Sequence, residues 1–147
     1  MKSKTDYCRI ICLAILIFMV FNHNTSAKVV VYPAPPGLRT SPDFTVMANN
    51  TPVWVERIGS KLKSFSYDLY SGREMEDLNV ANFSCSGEVI LQITAKENIE
   101  SYLIRPKSRN IVARVKGKEL LITVAGPQKL YIEINKLPHL AVFANPL

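Results

Sequence analysis

From Lys28 onward apolar residues recur at every second position in short runs, and no stretch repeats them at helical spacing. Phe65, Tyr67 and Leu69 alternate with Ser66, Asp68 and Tyr70; Val89, Leu91 and Ile93 alternate with Ile90, Gln92 and Thr94; Leu130, Ile132 and Ile134 lie opposite Tyr131 and Glu133. Such alternation marks strands with one face buried. Further β-rich runs are Lys28 to Tyr32, Phe44 to Ala48, Val53 to Ile58, Val80 to Cys85, Ile99 to Ile104, Ile111 to Val115, Leu120 to Val124 and Leu140 to Phe143.

Turn-forming residues separate these runs. Pro33, Pro35, Pro36 and Gly37 break the chain after the first, and Asn49-Asn-Thr-Pro52 reads as a turn after the second. Ser86-Gly87, Lys96-Glu-Asn98, Pro106 and Gly126-Pro-Gln128 punctuate the rest, and Lys116-Gly-Lys-Glu119 between two β runs is the strongest hairpin signal. Short strands at this spacing predict an all-β fold, an antiparallel β-sandwich of about nine to ten short strands. A β-barrel would share the pattern, whereas a stacked β-helix needs a repeat of roughly 20–30 residues that the chain lacks. One segment is ambiguous. Val53, Val55 and Arg57 share one face of a strand over 53–58, with Trp54, Glu56 and Ile58 on the other, so both faces carry apolar residues.

Residues 1–27 read as an export signal ahead of a β-sandwich domain over 28–147. Lys2, Lys4 and Arg9 supply a positive start, Cys12 to Phe21 a run of ten apolar residues, and Thr25-Ser26-Ala27 small residues at a cleavage site. The apolar run is short of the roughly 20 residues that span a bilayer, so no stable membrane insertion is expected after cleavage. Cys8 and Cys12 precede or enter that run, against a lipid anchor. The expected location is the periplasm or the extracellular space. Removing Lys2, Lys4, Asp6 and Arg9 lowers the net charge from +6 to +4. The remaining cations are interleaved with carboxylates, as in Lys96-Glu97, which suits a solvated surface better than a nucleic-acid track.

Chemistry is sparse. Cys85 alone remains after cleavage, which precludes an internal disulfide and suits a buried thiol. His139 is the one histidine left, expected in a loop or at an edge, and no calcium-type Asp-x-Asp-x-Asp loop occurs, so no metal or other cofactor is expected. Glycoside hydrolysis needs two carboxylates about 5–9.5 Å apart across a cleft. Glu56 and Asp68 are the pair on predicted strands, but most acids fall at turns and no catalytic residue is assigned. Sugar rings stack on exposed aromatics flanked by hydrogen-bonding groups. The candidates for carbohydrate binding or domain docking are Trp54, Glu56, Tyr67, Tyr70 and Tyr102, with Tyr131 a further aromatic; core packing is the competing use of each. The basic Pro106-Lys-Ser-Arg109 loop could attract an acidic polysaccharide or simply be a solvated tip.

The tail Gln128-Lys-Leu-Tyr-Ile-Glu-Ile-Asn-Lys-Leu-Pro-His-Leu-Ala-Val-Phe-Ala-Asn-Pro-Leu147 resembles the end of the small N-terminal β-sandwich of bacterial polysaccharide hydrolases related to dextranases, isopullulanases and polygalacturonases. Val31-Tyr-Pro-Ala-Pro-Pro-Gly37, the Trp54 strand and Phe65-Ser-Tyr-Asp68 fit the same domain. The resemblance covers about residues 28–147 and no catalytic motif. It implies a non-catalytic front module whose partner is a right-handed β-helix domain carrying the catalytic aspartates, and whose ligand, if any, is polysaccharide. Two other readings remain: an autonomous carbohydrate-binding module, and an envelope protein-interaction or scaffold domain.

Overall fold

The computed structural model describes residues 27–59, 77–136 and 139–147. The predicted signal, apart from Ala27, and the predicted strand over 64–70, with Tyr67 and Tyr70, lie outside the described residues. Eleven strands are described: β1 (Val29–Val30), β2 (Phe44–Ala48), β3 (Thr51–Val53), β4 (Val55–Gly59), β5 (Asp77–Cys85), β6 (Val89–Ala95), β7 (Tyr102–Arg105), β8 (Ile111–Lys116), β9 (Glu119–Val124), β10 (Gln128–Ile134) and β11 (His139–Pro146). They form two sheets. One has the order β1-β5-β11-β10-β7, with β4 also paired to β5; the other has the order β3-β2-β6-β9-β8.

The alternation explains the layering. In β6, Val89, Leu91, Ile93 and Ala95 are buried, joined by Phe44, Val46 and Ala48 of β2 and Leu120, Ile122 and Val124 of β9. The other sheet contributes Ala81, Phe83, Cys85, Leu130, Ile132, Ile134, Leu140 and Val142, and all these residues belong to one cluster. Each fully buried side chain of Phe or Ile size stabilises the fold by about 1.5–3 kcal/mol relative to exposure. The β-sandwich expectation holds, with two packed sheets.

Two departures from the sequence reading follow from tertiary pairing. The run Val53 to Ile58 is not one strand. Val53 pairs with Val46 in the second sheet, whereas Val55 pairs with Ala81 in the first. Trp54 is the residue at which the chain crosses between layers, so Val53 and Val55 both face the core without belonging to one strand face. The sandwich is also not strictly antiparallel. β11 lies parallel to β5 along its length, from His139↔Leu78 to Pro146↔Cys85. β11 follows β10 as an antiparallel neighbour, but its parallel pairing with the distant β5 leaves no turn that a sequence could display.

Two predicted turns are realised, the first over fewer residues than expected because Thr51 and Pro52 belong to β3. Asn49 and Asn50 both take positive φ, 46° and 61°, between the paired residues Ala48 and Thr51. Paired positive φ values define the tight hairpin turn whose twist matches the strands, and Asn tolerates them better than most residues. Gly117, at φ 60°, occupies the first central position between Lys116 and Glu119. That position of the two-residue turn favours glycine.

Candidate functional site

β1 and β4 lie head to tail along the same edge of β5. Val30 pairs with Ser84 and Val55 with Ala81, so the end of β1 meets the start of β4 opposite Asn82. Tyr32 and Trp54 occupy that junction. The Trp54 indole N–H donates to the Tyr32 carbonyl at 2.8 Å. The Tyr32 hydroxyl is hydrogen-bonded to Ser84 Oγ, and Ser84 is buried. Both aromatic side chains therefore have their polar ends tied to the protein while the rings remain accessible: Tyr32 is 48% exposed and Trp54 is half-buried. Fixing a ring in this way removes the rotamer entropy that a ligand would otherwise have to quench.

The row continues across the outer face of the first sheet. Asn82 is in register with Phe143 of β11, and Phe143 with Lys129 of β10. The Lys129 ammonium lies 5.5 Å from the centre of the Phe143 ring. Beside this row, the Asn145 amide donates to Asn82 Oδ1 at 2.6 Å and to the Phe83 carbonyl at 3.1 Å. At a strand spacing of about 4.8 Å, Tyr32, Trp54, Asn82, Phe143 and Lys129 make a strip of about 15 Å. Aromatic faces, amides and an ammonium in one line suit the alternating apolar faces and hydroxyl edges of a saccharide chain.

Glu56 pairs with Val80 and forms a bridge with Thr40, one row along from Asn82 on the same outer face. It therefore lies near Trp54, as the alternation suggested. Tyr102 does not. It sits on β7 at the opposite edge of the sheet, 43% exposed, about four strand spacings or 19 Å from β4. Its surroundings are a groove of about 450 Å³ at the β7–β8 side of the sandwich, shared with Lys107, Ile104 and Ile111. The sequence reading missed Tyr32, Ser84, Asn82 and Asn145. Only Tyr32 carried a signal, as an aromatic beside a proline-rich break; the others are joined by the parallel β5–β11 register.

Three further titratable side chains, Cys85, His139 and Tyr131, have their pKa values shifted chiefly by burial. Cys85 is fully buried as a free thiol in the core, and burial pushes its pKa up, which opposes thiolate formation. His139 is not a loop or edge residue: it begins β11 between β5 and β10, because the parallel pairing places that strand inside the sheet. It stacks on Tyr131 with ring centres 5.6 Å apart, and its buried Nδ1 has no hydrogen-bond partner. Burial lowers the His139 pKa, while the neighbouring Glu133 carboxylate pulls the other way. The Tyr131 phenol is raised above its ordinary range by burial and by Glu133, with Arg105 opposing. Asp68 lies outside the described residues, so the Glu56–Asp68 pairing acquires no geometry. No group of three or more His, Cys, Asp or Glu side chains able to hold a metal ion occurs among the described residues. No helix among them is long and apolar enough to cross a membrane.

No protein-family model matches this chain. No curated protein matches it either. Among solved structures it is similar to Dex49A from Penicillium minioluteum, with TM-score 0.52 and 16% sequence identity. The likeness covers 80% of this chain and 31% of that one, so the chain spans about a third of Dex49A. At that identity the likeness shows the fold alone.

Proposed function

We propose that this chain is the non-catalytic β-sandwich module of an exported polysaccharide-degrading hydrolase, packing against a β-helix catalytic domain. The observation that carries the reading is the asymmetric likeness to Dex49A, which takes in most of this chain and a third of that protein. It agrees with the resemblance of the 128–147 tail, the segment that forms β10 and β11. The test is genomic: translate several hundred codons beyond Leu147. A β-helix with clustered aspartates is the expected result, and a stop followed by unrelated sequence would sink the assignment.

A second reading is autonomous carbohydrate binding through the strip that begins at Tyr32 and Trp54. Tied-down aromatic side chains next to the Asn82–Asn145 amide pair favour it. Affinity electrophoresis through gels containing dextran, pullulan or polygalacturonate tests this reading directly. Retardation by a neutral glucan, lost in Trp54→Ala, supports it; unchanged mobility in every gel rejects it.

A further inference from the structure

Of the seven large hydrophobic residues exposed among the described positions, Ile90, Val112 and Leu121 lie on the outer face of the second sheet, and Val115 and Tyr102 lie at the β8 and β7 edges on the side of the core residues they pair with. Val112 and Val115 belong to β8, Leu121 to its hairpin partner β9, Ile90 to β6 beyond it and Tyr102 to β7 across the groove. β8 ends the second sheet and, among the described residues, pairs only with β9. The other sheet ends are closed or short. Residues 39–41 cover the outer edge of β4, with Ser41 N–H donating to the Val55 carbonyl and Arg57 N–H to the Arg39 carbonyl. β3 has three residues, one of them Pro52, and β7 has four. An edge strand of six residues with no second partner among the described residues is a template for another strand.

The hairpin geometry defines which backbone groups are offered. Lys116 and Glu119 close a two-residue turn, so 116, 114 and 112 direct their N–H and C=O groups to β9. Ala113 and Val115 direct theirs outward. Ile111 N–H is occupied by the Ser108 carbonyl at 3.2 Å, which places the open ladder at Ala113 and Val115.

Charge selects the occupant. Residues 105–118 contain Arg105, Lys107, Arg109, Arg114, Lys116 and Lys118 and no carboxylate. A second copy of this chain pairing antiparallel at this edge, with Ala113 opposite Val115, would bring Arg114 against its own counterpart, and like charges across a strand pair are unfavourable. An extended segment with apolar residues at alternate positions and Asp or Glu between them can set its apolar residues beside Ala113 and Val115 and its carboxylates beside Arg114 and Lys116, which lie on the opposite face of β8. We propose that β8 is a docking edge at which an acidic, extended segment of a partner protein adds as a further strand. This surface is distinct from the Tyr32–Trp54 strip and goes beyond the proposed function.

The test is fluorescence anisotropy with the purified chain and two labelled octapeptides, one alternating valine with glutamate and one alternating valine with lysine. The acidic peptide is expected to bind and to release as salt rises; the basic one is not. Ala113→Pro removes an outward N–H without removing a β9 hydrogen bond, and proline is tolerated at such edge positions. It is expected to weaken binding at least about tenfold, equivalent to about 1.4 kcal/mol. The double variant Arg114→Glu, Lys116→Glu alters only exposed side chains and should do the same, which keeps the test decisive if the proline variant does not fold. Equal binding of both peptides, binding of neither, or wild-type affinity in either folded variant overturns the proposal. So does sedimentation as a dimer that Ala113→Pro dissociates, because a second copy would then hold the edge. Polygalacturonate binding that depends on Arg114 and Lys116 but ignores Ala113→Pro likewise overturns it in favour of an acidic polysaccharide.

Discussion

The Trp54 indole N–H donates to the Tyr32 carbonyl at 2.8 Å and fastens the start of β4 to the chain leaving β1. Trp54 is also the residue at which the chain leaves one sheet for the other, so this bond holds a crossing point. Replacing Trp54 with Phe keeps an aromatic ring but deletes the donor. The expected loss is about 1 kcal/mol, the usual net value of one hydrogen bond. A urea titration should show a lower midpoint at unchanged slope.

Asn145 ties the terminal strand to β5 through Asn82 Oδ1 and the Phe83 carbonyl. Asn145→Ala is expected to cost about 1–3 kcal/mol, because two acceptors in a half-buried setting lose their donor. Asn82→Ala should cost less, and the double variant should fall short of the sum, since the two side chains share one bond. Denaturant midpoints of the four proteins measure the coupling.

Asn135 follows β10 at φ 52° and organises the approach to β7. Its side-chain oxygen accepts from the Glu100 and Ser101 N–H groups, and its amide donates to the Asn98 carbonyl at 2.8 Å. Asn135→Ala loses all three bonds and places an unsuited residue at positive φ, so a loss of about 2–4 kcal/mol is expected. Asn135→Gly relieves the backbone strain, and Asn135→Asp preserves the two accepted bonds. Both should unfold at temperatures between wild type and Asn135→Ala.

His139 has its pKa lowered by burial, so the folded protein prefers the neutral imidazole. The unfolded chain then binds more protons than the folded one in the interval between the lowered value and the ordinary value of about 6.5. Stability attributable to this group is fully present above about pH 6.5 and declines as pH falls through that interval. Urea midpoints at pH 7.5 and pH 5.5 should differ for wild type and converge for His139→Gln.

The alternation over 89–95 and 130–134 was sufficient to determine two-layer β structure, because a period of two can bury only one face of a strand. Turn chemistry was equally legible at Asn49-Asn50 and Gly117, where backbone geometry selects the residue type locally. The aromatic half of the candidate site was legible in part: Trp54 and Glu56 lie near one another as their spacing implied, whereas Tyr102 lies across the sheet. What the chain could not disclose was partnership. Val53 and Val55 look like one strand face but serve different sheets. Asn82 and Asn145, separated by 63 residues, meet only because β11 inserts parallel to β5. Local periodicity records which residues avoid water; the choice of neighbouring strand depends on long-range packing and hydrogen-bond closure, and that tertiary choice created both the Tyr32–Trp54 strip and the open β8 edge.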